Sequence, residues 1–199
     1  MPRVSLIYKN IFLYRLLMNF LYLGGYRNRY QILFKHFHPS NSMLELCFGD
    51  TIIAKFCKKN NIHWKGIDLN KGFTDRAFRK GYDAMNYDIT ELEVFPKVDL
   101  CVMVGSLYHF ADFTDSIFKK VLNASDRVII SEPIKNLSDK KGLIGYIAKH
   151  SASPGKKHEI FRYNEISFLE LIEKMKNEFN FKYRIIERFR KDLVIEITK

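Results

Sequence analysis

The chain has 199 residues and a mass of 23.6 kDa, which fits one domain or one domain with an appendage. Hydrophobic residues make up 47% and charged residues 28%, which excludes a disordered or collagen-like chain and leaves enough apolar surface for a self-sufficient core. Thirty-three Lys and Arg against 22 Asp and Glu give a net charge of +11, compatible with nucleic acid, an anionic membrane or an anionic substrate and selecting none of them.

The basic charge is concentrated at the start. Residues 1–40 carry Arg3, Lys9, Arg15, Arg27, Arg29 and Lys35 and no acid. On helical spacing Leu6, Leu13, Leu17 and Leu21 share one face, and Tyr8, Arg15, Asn19, Tyr22 and Tyr26 share another. Gly24-Gly25 ends this helix and a second, short one is expected over 30–37, ahead of Pro39. The first 40 residues therefore read as an N-terminal helical arm. The apolar run 11–23 is interrupted by Arg15 and Asn19, is too short to span a membrane, and lacks a small-residue cleavage site after it. The three cysteines lie in apolar runs without Cys-x-x-Cys spacing. They read as reduced packing residues. A cytoplasmic protein is expected, one whose basic arm can touch the inner membrane surface.

From residue 41 to 199 the pattern alternates. Strands are expected at 43–47, 63–69, 82–87, 98–104 and 127–131, with helices over 52–60, 74–80 and 107–122 between them. Apolar strands separated by helices predict a parallel sheet covered on both faces. After a helix at 164–177, strands at 183–189 and 193–198 lie too close together for a parallel crossover, so they pair antiparallel. The Gly-, Ser- and Lys-rich stretch 138–157 has no clean period and reads as a loop insertion.

In an open parallel sheet, ligands bind at the carboxyl ends of the strands. Those ends carry Leu44-Glu45-Leu46-Cys47-Phe48-Gly49-Asp50-Thr51, then Gly66-Ile67-Asp68-Leu69-Asn70, Asp88, Gly105-Ser106-Leu107-Tyr108-His109-Phe110, and Ser131-Glu132-Pro133. An acid at the tip of the second strand suits a ribose diol. A dinucleotide would also need G-x-G-x-x-G for its pyrophosphate, and only Gly49 is present; nor is there a Tyr-x-x-x-Lys pair. A nucleoside without phosphates asks less of this turn.

On these residues the sequence resembles the class I S-adenosylmethionine-dependent methyltransferases, over roughly residues 40–199. The resemblance implies an α/β fold, a Rossmann-like doubly wound sheet, mostly parallel, closed by the antiparallel pair. It also implies S-adenosylmethionine as cofactor, with S-adenosylhomocysteine as product. The stretch Glu45, Leu46, Cys47, Phe48, Gly49 and Thr51 looks like the first motif, with Glu45 ordering the turn and Gly49 admitting the cofactor's amino-acid end. Asp68 matches the ribose-binding acid, followed by Leu69 and Asn70. Asp88 and the Ile89 amide would border the adenine, and Val104, Gly105 and Ser106 the methionyl side. Cys47 and Thr51 stand where two glycines are usual, and Thr51 is expected to double as a helix N-cap. Leu107, His109, Phe110 and Asp112 echo a Leu-x-His-Phe-x-Asp pattern of the small-molecule branch, and His158-Glu159-Ile160-Phe161-Arg162-Tyr163 resembles another of its segments.

The expected reaction is methyl transfer to a small, sugar or lipid-linked acceptor, at oxygen. His109 is the candidate base for a hydroxyl acceptor; Tyr108, His109, His150 and His158 are the candidate substrate contacts. His36-x-His38 lacks a Cys or carboxylate cluster, so no metal is expected. Two alternatives stand beside this reading: a non-catalytic binding module of the same fold, and an RNA methyltransferase using the basic surface. The latter is disfavoured because Ser106-Leu107-Tyr108-His109 replaces the Asn/Asp-Pro-Pro-aromatic motif of base-amine enzymes.

Overall fold

A computed structural model describes residues 10–135 and 162–199. Two helices come first, α1 (Ile11–Leu21) and α2 (Asn28–Phe34), followed by alternating strands and helices: β1 (Ser42–Leu46), α3 (Ile52–Lys59), β2 (His63–Asp68), α4 (Lys71–Arg79), β3 (Asp83–Asn86) and β4 (Leu100–Val104). After a 3-10 helix (Leu107–Phe113) come α5 (Thr114–Ala124), β5 (Arg127–Pro133), α6 (Glu165–Phe179), β6 (Lys182–Phe189) and β7 (Asp192–Thr198). These seven strands form one sheet in the order β3-β2-β1-β4-β5-β7-β6. β1 to β5 are parallel; β7 runs antiparallel to both β5 and β6. The strand order reverses between β1 and β4, the switch point at which such sheets open a crevice.

Side-chain alternation builds two cores. Leu44, Leu46, Met103, Ile130 and Ile195 face α5 and α6, meeting Phe118, Phe168 and Ile172. Met43, Val102, Ile129 and Val194 face the other way, under Ile53, Ala54, Leu33, Phe37, Tyr22 and Tyr26. The arm therefore packs on the sheet. Its tyrosine face points inward: Tyr22, Tyr26 and Tyr30 are buried, whereas Phe12, Leu13, Leu16, Phe20 and Leu23 are exposed.

Asn residues set several helix ends. Asn10 accepts from the Phe12 and Leu13 amides to start α1. Asn70 does the same for α4 through Gly72 and Phe73, which is why α4 begins at Lys71, ahead of the expected 74. Asn164 and Ser167 form a reciprocal capping box on α6. The helix expected over 107–122 is split. Phe110 leaves helical geometry (φ −116°, ψ 29°), and the first part winds as 3-10. Its start is tied to the sheet, because the Leu107 amide donates to the Glu132 carboxylate on β5 at 3.1 Å. The expected insertion 138–157 lies outside the described residues.

Candidate active site

The first strand turn carries the positional signal. Cys47 and Gly49 both take left-handed backbone, with φ of 55° and 57°, so the glycine-like conformation at position 47 is kept by a residue with a side chain. That conformation costs a Cβ-bearing residue roughly 1–2 kcal/mol. The Gly49 amide donates to Asp68 Oδ2 at 2.9 Å, and the Asn70 amide to Asp68 Oδ1 at 2.7 Å. Asp68 is thus held across the β1 and β2 ends. Burial raises its pKa to about 6 against the lowering effect of those two amides. At the β3 end, Asp88 Oδ1 accepts from the amide and hydroxyl of Thr90.

Glu45 does not reach the turn. It is buried, its Oε2 accepts from Trp64 Nε1 at 2.8 Å, and Oε1 has no partner among the described residues. Desolvation pushes its pKa well up. Gly66 permits this arrangement, since a Cβ there would sit 2.2 Å from the Trp64 ring and 2.7 Å from Phe48. Leu46, Phe48 and Ile89 are core side chains, so only their backbone can border a ligand. Leu69 is exposed, and Asn70 caps α4. Thr51 sits at the α3 N-cap without capping it: Asp50 Oδ1 takes the Thr51 amide, and the Thr51 hydroxyl accepts from Lys80 Nζ.

The arm closes over this edge. Arg15 of α1 forms a two-toothed ion pair with buried Asp50, at 2.7 and 2.8 Å. A Cβ on Gly49 would lie 3.0 Å from the Tyr14 hydroxyl. Arg29 of α2 is buried beside Gly105, where an added Cβ would approach its Nη2 to 2.5 Å. Arg29 Nε donates to Asp192 Oδ2 at 2.8 Å, Tyr22 donates to Asp192 Oδ1, and Nη2 has no partner among the described residues. Val104 and Ser106 are buried on either side of Gly105, whose φ is 66°.

Beyond Gly105 lies Tyr108, half-buried, with the Arg162 guanidinium 3.5 Å from its ring centre. The His109 ring packs at a tilt of 44° against Tyr108, with 3.9 Å between ring centres. The residue is partly open to solvent, and desolvation of its ring against Tyr108, with the charge of Arg162, lowers its pKa from the usual value. Glu132 is fully buried beneath them, with Oε1 unpartnered among the described residues. His150 and His158 lie outside the described residues. His36 bonds Glu187 at 2.8 Å. Among the described residues no group of three or more His, Cys, Asp and Glu is placed to hold a metal. The cleft that opens between Trp64, Tyr82 and Lys97, of about 510 Å³, is at the opposite, amino-terminal end of the strands, away from these groups.

Sequence reading brought Asp68, Asp88, Gly49 and Gly105 to this edge, and the structure gathers them there. It missed Arg29, Asp192, Arg15, Asp50 and Tyr14, and gave Glu132 no role. The acid-free arm was the one signal for these; nothing local pairs Arg29 with an acid 163 positions away.

The sheet order with its antiparallel closing pair, and the acid-tipped β2 beside a left-handed turn, decide the architecture. The fold is that of the class I S-adenosylmethionine-dependent methyltransferases. Solved structures of this fold align along nearly the whole chain. One is an S-adenosylmethionine-dependent methyltransferase from Archaeoglobus fulgidus, with a TM-score of 0.66 at 13% identity over 94% of this chain and 100% of that one. Another is magnesium protoporphyrin IX methyltransferase from Synechocystis PCC 6803 with S-adenosylhomocysteine bound, with a TM-score of 0.64 at 16% identity over 88% and 83%. Human N-acetylserotonin methyltransferase in complex with S-adenosylmethionine gives 0.65 at 14% identity over 97% of this chain and 57% of that one. No protein-family profile and no curated protein sequence matches the chain.

Proposed function

We propose that the chain is an S-adenosylmethionine-dependent methyltransferase that places a methyl group on a hydroxyl oxygen of a small, sugar or lipid-linked acceptor. The observation that carries this reading is one strand-end rim, running from Asp88 through Asp68 and Gly49 to Gly105, that ends at the unpartnered Nη2 of buried Arg29. These groups fit a nucleoside with an amino-acid tail. Each Asp68 oxygen accepts one backbone amide and keeps a lone pair for a ribose hydroxyl. Asp88 engages Thr90 through Oδ1 and would offer Oδ2 to the adenine amine. Arg29 Nη2 would take the tail's carboxylate in a charge-assisted bond. The neighbours named for magnesium protoporphyrin IX and N-acetylserotonin support a small-molecule acceptor.

S-adenosylmethionine, when bound, supplies an electrophilic methyl group on a cationic sulfur. The chain binds, aligns and excludes water. Fixing two reactants in line can supply roughly 7–11 kcal/mol of the barrier. Tyr14 and Arg15 of α1 hold the arm over the first turn, and Arg29 of α2 closes the methionyl side.

Calorimetry with S-adenosylhomocysteine and with 5′-methylthioadenosine, which lacks the amino-acid tail, tests the assignment. The wild type binds both, the homocysteine compound at least tenfold tighter. Arg29→Met loses that preference and keeps its affinity for methylthioadenosine, which also reports that the variant is folded. Binding of neither compound by the wild type contradicts the proposed function.

A further inference from the structure

The buried acids of the fold divide by partner. Asp50 pairs with Arg15, Asp192 with Arg29, and Glu196 with Arg127 and Arg184. Asp68 receives two backbone amides. Among the described residues two other buried acids have no cation in contact: Glu45, whose Oε2 accepts from Trp64 Nε1 while Oε1 has no partner, and Glu132, which accepts one backbone amide while its second oxygen is buried without a partner. An unpaired buried acid is expensive and is rarely retained for packing. Glu45 lies within β1, bonded to the Trp64 indole, whereas Glu132 stands at the C-terminal end of β5, next to β4, and its bonded oxygen touches the backbone two residues beyond Gly105.

We infer that Glu132 Oε1 is the proton acceptor for the hydroxyl that receives the methyl group. This rests on the methyltransferase reading above. Glu132 takes the hydroxyl proton as the oxygen–carbon bond forms and the carbon–sulfur bond breaks. The electron pair of that bond leaves on sulfur, which ends as a neutral thioether.

Around Glu132 stand the Leu107 amide, the Tyr108 and Tyr163 hydroxyls, the Arg162 and Arg29 guanidiniums and the Asp192 carboxylate. Burial raises its pKa to about 8, opposed by the Leu107 amide; Asp192 adds to the rise, and the two arginines oppose it. The acid is therefore mostly protonated at neutral pH. A cation arriving in the methyl-donor position favours the carboxylate, so the base forms when the donor is in place. His109, whose pKa is lowered by desolvation of its ring and by the charge of Arg162, lacks that match between basicity and working pH.

The test compares S-adenosylmethionine, which carries the sulfonium charge, with S-adenosylhomocysteine, which does not. Calorimetry at pH 7.5 in two buffers of different ionisation enthalpy gives the protons released by each ligand. Protons lost from Asp68 are common to both and cancel in the difference. The wild type releases more protons with S-adenosylmethionine, and Glu132→Gln abolishes the excess. The Gln side-chain carbonyl still accepts from Leu107, so S-adenosylhomocysteine affinity stays within about twofold. In wild-type protein with ¹³C-labelled glutamate carboxyls, one resonance titrates near pH 8; its midpoint falls by at least half a pH unit with S-adenosylmethionine and not with S-adenosylhomocysteine. Equal proton release from the two ligands, an excess that persists in Glu132→Gln, or no carboxyl that responds to the sulfonium alone overturns the inference. Failure of both ligands to bind points instead to the cofactor site.

Discussion

Asp68 joins the sequence pattern to a measurable electrostatic property. Its raised pKa means that the apo protein holds a proton that a ribose diol, itself a pair of donors, would displace. Affinity for S-adenosylhomocysteine is therefore expected to rise several-fold between pH 5 and pH 7, as Asp68 ionises around pH 6, and then to level off. Asp68→Asn flattens this profile at a lower affinity. A titration series at four pH values reads both effects, and a flat wild-type curve contradicts the assignment. Asp68 was legible in the sequence because strand, tip and preceding glycine turn are all local. Glu45 shows the limit of that logic. The motif position is filled, yet the carboxyl turns to Trp64 because Gly66 leaves the indole room to cross. No spacing rule exposes that contact.

At the scale of elements, the strand and helix succession was readable from apolar runs, and the closing antiparallel pair from the short gap before β7. What was hidden was the role of the arm. Its two periodic faces were visible, but not which one turned inward; the tyrosines pack on the sheet because their rings bury a large area while Tyr22 still finds a polar partner in Asp192. The outward face of α1 then presents Phe12, Leu16, Phe20 and Leu23, with exposed Arg27 just beyond it. No described helix is long and apolar enough to cross a membrane, but a helix of this kind suits the surface of an anionic bilayer. We expect the protein to co-sediment with vesicles containing phosphatidylglycerol at low salt. Phe12→Glu combined with Phe20→Glu should reduce the bound fraction at least fivefold without lowering the melting temperature, because both rings are exposed. Equal sedimentation of the variant would remove α1 as the contact.

For the whole molecule, the raised carboxyl groups make stability depend on pH in a defined direction. Glu132 is protonated longer in the folded state than in the unfolded state, whose glutamates titrate near 4.5. The folded state thus binds more protons, and stability falls as pH rises toward 8. His109 works the other way, but only up to the unfolded histidine value near 6.5. Between pH 6.5 and 8 Glu132 contributes about 1–2 kcal/mol in this direction. Glu45 acts the same way, and Lys191, whose pKa burial lowers to about 8, acts against both, so the comparison with Glu132→Gln isolates the Glu132 share. Thermal melts should show a lower midpoint at pH 8 than at pH 6.5 for the wild type, and a reduced difference for Glu132→Gln. An equal change of midpoint in the wild type and in Glu132→Gln over this interval would mean that Glu132 is already ionised.

The central claim is that the carboxyl ends of β1, β2, β3 and β4 form a nucleoside site closed by the arm. A crystal structure with S-adenosylhomocysteine tests it most directly. The expected result is ribose hydroxyls within hydrogen-bond distance of Asp68, adenine beside Asp88 and Ile89, and the carboxylate on Arg29. Density for the nucleoside at any other surface, or a Tyr14 ring still closed on Gly49 with the ligand excluded, would contradict the account.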